Sequence, residues 1–177
     1  MLPPGSSYEN PRNGSRLTVL EMTPLRLRFE RLYKPHTGMA DAHLHLDFNH
    51  SWEVVSGRGR YELDGEACDL APGESAGIQV GRAHRDLYNP FDEDAVARFD
   101  LRPCNEFVET FFETLVWLFE RGQLDEQDRF PQLQLFVILR ATNARSYAAG
   151  PPLALQRAML PLLAALGRLK GYKPRYA

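Results

Sequence analysis

The segment His43-Leu44-His45-Leu46-Asp47-Phe48-Asn49-His50-Ser51-Trp52-Glu53-Val54-Val55-Ser56-Gly57 decides how the chain is read. Side chains two apart on a β-strand leave the same face, so His43 and His45 send both imidazoles toward one point. His50, Trp52 and Val54 repeat that period of two on the next run, and Gly57 ends it. A lone strand histidine is more often a satisfied polar residue than a ligand, so the pair by itself carries little weight. Four of the five histidines, however, are His43, His45, His50 and His84. Two imidazoles from one strand and two from other strands are enough to surround one ion inside a small barrel. His36 lies outside this pattern and reads as a surface or loop residue.

On either side of this segment the strand pattern continues. Leu17 and Val19, then Leu25, Leu27 and Phe29, alternate with polar neighbours, as half-buried strands require. Arg58 to Leu63, Asp64-Gly65 and Glu66 to Leu70 read as a hairpin, because Asp-Gly suits a tight primed turn. Turn chemistry recurs at Ala71-Pro72-Gly73, Gly81 and Asn89-Pro90, so residues 16–103 read as many short strands forming a sandwich or barrel. Residues 1–15, with Asn10-Pro11 and Asn13-Gly14, read as a loose N-terminal arm. After Pro103 the period becomes helical. Phe107, Phe111, Leu115, Leu118 and Phe119 follow an Asn105 cap and stop at Gly122. A second helix starts near Pro131, where a first-turn proline costs nothing. A third spans Pro152 to Lys170, with Leu155, Met159, Leu162, Leu163 and Leu166 on one stripe and Pro161 set to kink it. Residues 104–177 are therefore expected to form a helical extension whose apolar stripes pack on the barrel or on a dimer partner.

Composition narrows the classes of function. Across 177 residues, 44% are hydrophobic, enough for a buried core, and the formal charge of −2 provides no broad cationic field. Nucleic acid and membrane surfaces are therefore not expected partners. No apolar run approaches the length of a bilayer span, and Met1 to Ser7 lacks the basic start and apolar core of a signal peptide. Cys68 and Cys104 have no metal-knuckle or redox spacing and read as free thiols, so the expected compartment is the cytoplasm. Asp92-Glu93-Asp94 reads as a solvated turn, and Gly57-Arg58-Gly59 as a strand end, since no helix follows to hold a phosphate.

From Gly38 to Asn89 the sequence resembles the two segments that define the cupin superfamily. Gly38, His43-Leu44-His45, His50 and Val54-Val55-Ser56-Gly57 match the first; Gly73, Gln79-Val80-Gly81, His84 and Asn89 match the second. The resemblance implies a mainly β fold, a cupin double-stranded β-helix or jelly-roll barrel, followed here by about three C-terminal α-helices. More weakly, Glu9-Asn10-Pro11, Phe111-Phe112-Glu113, Pro151-Pro152 and Gly171-Tyr172 resemble small bacterial single-domain cupins with a helical tail. The chain departs from the pattern in three places. His50 stands where the family usually has glutamate, Gln79 replaces the usual proline, and Asn89 lies one residue further from His84 than is common. Glu53 competes for the glutamate role but stands too close to Gly57.

The expected metal ligands are thus His43, His45, His50 and His84. Four imidazoles suit iron, nickel or zinc, with copper and manganese also in range, over magnesium or calcium. Without the glutamate, the ion and its ligands would keep about two positive charges and favour an anionic substrate or bound hydroxide. The expected pocket residues are Trp52, Tyr88, Phe99 and Asp86, the last the one nearby carboxylate able to serve as a base. The resulting expectation is a mononuclear-metal oxidoreductase, resembling cupin dioxygenases, acting on a small polar organic molecule and forming a homodimer. The alternatives are a non-catalytic metabolite- or metal-binding module and a ligand sensor.

Overall fold

The computed structural model describes residues 1–176. In chain order the elements are β1 (Ser7–Glu9), β2 (Arg16–Thr23), β3 (Arg26–Tyr33), β4 (His43–His45), β5 (Asn49–Ser56), β6 (Gly59–Leu63) and β7 (Glu66–Leu70). They continue with β8 (Ser75–Ile78), β9 (His84–Tyr88), β10 (Ala95–Arg102), α1 (Glu106–Glu120), α2 (Gln132–Ala141), β11 (Ser146–Ala148) and α3 (Leu153–Leu169). The strands form two antiparallel sheets, ordered β1-β2-β3-β10-β5-β8 and β11-β4-β9-β6-β7. The expected jelly roll followed by three helices is what the chain forms.

The core follows from alternation. Leu27, Phe29 and Tyr33 of β3, Trp52 and Val54 of β5, and Ala97, Phe99 and Leu101 of β10 are all buried. Phe99 stacks on Phe29 at 4.6 Å between ring centroids, and Phe29 meets Phe112 of α1 at 4.9 Å. The barrel core and the first helix therefore share one apolar interior. The Asp64-Gly65 turn closes β6 on β7 with both residues in the left-handed region, which suits a primed turn. Asn105 caps α1, accepting from the Val108 amide at 3.0 Å. Leu25 departs from expectation: with Pro24 it forms the turn that joins β2 to β3, and it is exposed.

Two of the expected family positions have structural reasons. A side chain at Gly38 (φ +87°) would run into the ring of Tyr33, whose hydroxyl donates to the Leu87 carbonyl at 3.0 Å. Asn89 is fully buried, donates to the Lys34 and Glu93 carbonyls and accepts from the Phe91 amide, latching the turn after β9.

The N-terminal residues are not loose. β1 pairs with β2, and Asn10 is buried. The Asp128 carboxylate accepts from Asn10 at 2.7 Å, Asn13 at 2.9 Å and Arg31 at 3.0 Å, with its own side chain wholly buried. The helical extension also contains a strand that the sequence reading missed. β11 pairs with β4, setting Ser146 opposite His45 and Ala148 opposite His43. Helix α3 runs through Pro161 as one element, but its large apolar stripe is not core. Ala164 and Gly167 are its buried residues, while Leu155, Met159, Leu162 and Leu166 are exposed. Gly167 lies so close to α2 that an added Cβ would sit 2.7 Å from the Leu133 carbonyl oxygen. Small residues permit that approach; Leu160 packs against the core, Leu163 is half-buried, and the rest of the stripe is left on the far side.

Asp128→Ala is expected to destabilise the protein by about 3–5 kcal/mol, because Arg31 then keeps a mostly buried charge without its partner. Chemical denaturation measures the loss, and limited proteolysis should then cut first within residues 1–15.

Candidate metal centre

The four histidines of the first reading converge. His43 and His45 lie on β4, His50 on β5 and His84 on β9, where it pairs directly across from His43. Ring centroids stand 4.4 Å apart for His43–His84, 4.9 Å for His45–His84, 4.8 Å for His45–His50 and 4.7 Å for His50–His84. The donor atoms sort into two overlapping triads. One ligand atom each from His43, His45 and His84 lie within 4.8 Å of one another, as do those from His50, His84 and Asp86.

Backbone carbonyls orient two of the rings. His43 Nδ1–H donates to the Asp41 carbonyl and His84 Nδ1–H to the Arg82 carbonyl, each at 2.8 Å. That leaves Nε2 of both as lone-pair donors, with the ring tautomer set from outside. His45 is held through its main chain, its carbonyl accepting from the Gly81 amide at 2.8 Å, and its ring stacks on Phe48 at 3.8 Å. The buried atoms without a hydrogen-bond partner include both His45 nitrogens, His50 Nε2, His84 Nε2, Asp86 Oδ1 and Trp52 Nε1.

Asp86 alters the expected electrostatics. Its oxygens lie 3.4 Å from His50 Nδ1 and 3.8 Å from both His84 Nε2 and His43 Nε2. Burial pushes its pKa up, and Coulombic attraction to His50, His43, His84 and His45 in their protonated forms outweighs burial and brings the carboxyl down to about 2. Asp86 so brings in, from another strand, a carboxylate in place of the one that the His50-for-glutamate exchange removes. The expected excess of about two positive charges falls by one. Access is uneven: the side chains of His43 and Asp86 are 28% and 31% exposed, while those of His50 and His84 are buried. The mouth lies on the His43–Asp86 side.

The other expected pocket residues separate. Trp52 stands against His50 at 4.9 Å and walls the site. Phe99 lies behind it, 6.0 Å from Trp52 and stacked into the core. Tyr88 faces away. β6 pairs Arg60 with Tyr88 but Glu62 with Arg85, so β9 carries an extra residue between them. After this bulge the alternation flips. Tyr88 joins the side of Arg60 and Glu62, and its hydroxyl donates to Glu62 at 3.4 Å. Tyr61, which the first reading passed over, takes the inner position instead, 5.6 Å from Trp52. The alternation of Gly59, Tyr61 and Leu63 along β6 was the available signal. Glu53 is exposed and points away from the site, as its odd offset from His50 and Trp52 requires. His36 lies outside the centre, bonded to Asp92 at 3.0 Å on the surface.

Burial and the neighbouring imidazoles push His45 down to about 3 from its ordinary 6.5. Burial likewise pushes His50 down to about 4. Both rings are neutral at pH 7, as ligands must be. Unfolded histidines take up protons near 6.5, so protonation favours the unfolded chain from there down through the folded values. Chelator-treated protein is therefore expected to lose thermal stability as pH falls from about 7 to 5. Melting curves across that range check it, with a shallower slope expected for His45→Leu. A flat wild-type profile would mean that the rings are not held neutral in the folded state.

Residues 29–100 match the family model described as a cupin domain. No curated protein matches the chain. Among solved structures, KdgF from Halomonas sp. is similar at 18% identity and a TM-score of 0.48, covering 56% of this chain and 87% of that one. An uncharacterized conserved protein with a double-stranded beta-helix domain from Klebsiella pneumoniae is 23% identical with a TM-score of 0.45, covering 54% and 84%. An RmlC-like cupin from Shewanella frigidimarina is 17% identical with a TM-score of 0.47, covering 56% and 85%. The strands that bear the histidines all lie within residues 29–100, the part of the chain that is a cupin domain.

Proposed function

We propose that this cupin holds one divalent transition-metal ion through His43, His45 and His84, with Asp86 as the anionic donor and His50 beside it. On this reading it acts as a mononuclear-metal oxidoreductase, dioxygenase-like, on a small polar organic molecule. The observation that carries the reading is the convergence of unpartnered nitrogen and carboxylate atoms in one buried interior. Left unpaired, each would cost about 1–3 kcal/mol, a heavy load for a fold whose whole stability is typically about 5–15 kcal/mol. A mixed nitrogen and oxygen donor set suits iron, nickel or zinc, and also copper or manganese.

An ion bound there supplies Lewis acidity and, if redox-active, electrons. The chain supplies the rest. His43 and Asp86 border the mouth, so a polar ligand meets these two first. The Asp86 carboxylate accepts a hydrogen bond or a proton from a ligand hydroxyl. Trp52, Phe48 and the core behind them keep the inner side dry and apolar.

Metal analysis of protein purified without a metal-affinity tag is expected to give near one equivalent, directly or after reconstitution with iron, nickel or zinc. His45→Ala and His84→Ala should each weaken binding at least about tenfold, and His50→Ala less so. Glu53→Ala should leave it unchanged. Absence of stoichiometric metal under all loadings would sink the proposal. Oxygen uptake across dicarbonyls, thiols and catechols then separates enzyme from binder. A loaded protein that binds a ligand but consumes no oxygen with any of them would favour the non-catalytic module.

A further inference from the structure

Helix α3 turns the wrong side to the protein. A surface helix on a monomer ordinarily buries its large apolar residues and shows water the small and polar ones. Here Ala164, Gly167 and the partly buried Leu160 and Leu163 take the inner side, and six of the ten exposed large hydrophobic residues among those described lie on this single helix. Five of them, Leu155, Met159, Leu162, Leu166 and Leu169, follow one another at steps of four, three, four and three. That is the a/d spacing of a coiled-coil seam. Leu162 and Leu169 are 63% and 85% exposed, so the seam stands open along its length. Ala158 and Ala165 flank it and allow close approach, while Arg157 and Arg168, the charged residues of the helix, stand off it.

From this spacing we infer that α3 is the dimer interface, pairing antiparallel with α3 of a second copy about a two-fold axis at Leu162. The seam is nearly palindromic. About that axis Leu155 faces Leu169, Met159 faces Leu166, and Leu162 faces its own equivalent. An isologous contact requires such self-complementarity, and antiparallel helices oppose their dipoles favourably. The six exposed side chains with their alanine flanks present on the order of 600 Å² per chain, close to the roughly 800 Å² per partner of a stable interface. Near-neutral flanks also fit a copy of the same helix, whose identical charges would otherwise oppose one another. This inference is independent of the metal reading.

The test is sedimentation velocity of the full chain over the micromolar range, with and without vesicles of phosphatidylglycerol and phosphatidylcholine. Twice the mass of one chain is expected, without vesicle binding. Leu162→Glu sets two carboxylates against each other at the axis and should weaken association by at least about tenfold. Its circular dichroism should be unchanged, because the site is exposed. Leu25→Glu, at an equally open position outside α3, should leave the dimer intact. Mild oxidation of Leu162→Cys should give a cross-linked dimer, since that residue meets its own equivalent. A wild-type monomer throughout the range would overturn the inference, as would Leu162→Glu remaining a dimer. Vesicle binding by a monomer would reassign the face to a membrane surface.

Discussion

Buried polar atoms that find no partner within the protein are the constraint on which this fold turns. Both nitrogens of His45, one each of His50 and His84, the indole N–H of Trp52 and an Asp86 oxygen share one interior. Most buried polar groups in proteins are paired, so six such atoms together mark a place built around something else. Much of the surrounding architecture can be understood as holding them still. The Asp41 and Arg82 carbonyls fix two rings, the Gly81 amide fixes the main chain of a third, and the strand alternation from His84 puts Asp86 on the inner side.

The segments outside the barrel take part in that support. β11 lies along β4, so the strand bearing His43 and His45 has a neighbour on each side instead of an open edge. β11 is tied in turn to α3: Gln156 bonds both main-chain groups of Ala148, and Arg157 reaches the Tyr147 hydroxyl at 3.1 Å. At the other end of the chain, Asp128 draws Asn10, Asn13 and Arg31 together, clamping the N-terminal residues to β3. Hydrogen bonds thus tie the terminal segments to the barrel and to the strand that carries His43 and His45.

Asp86 shows how a site can keep its charge balance while its apparent motif changes. Read along the chain, His50 in place of glutamate looks like the loss of an anionic donor. In space, a carboxylate two residues after His84 reaches the same interior from β9. The imidazoles around it favour ionisation when they carry a proton, against the tendency of burial to protonate the carboxyl.

Local pattern by itself determined a good deal. The period of two put His43 with His45, and His50 with Trp52 and Val54; Asp64-Gly65 set a hairpin; Asn105 capped a helix. Each of these depends on residues a few positions apart, whose geometry the backbone repeat dictates. What depended on distant residues was decided only by the tertiary structure. The facing of Tyr88 turned on a register shift against β6, β11 existed only because β4 offered an edge, and the N-terminal residues were ordered by an aspartate more than a hundred positions away. The α3 stripe was legible as apolar, but which way it faced was settled by Gly167 and Ala164 meeting α2. The four histidines were named from spacing, whereas the carboxylate among them needed the folded chain, because charge and burial are properties of neighbours in space.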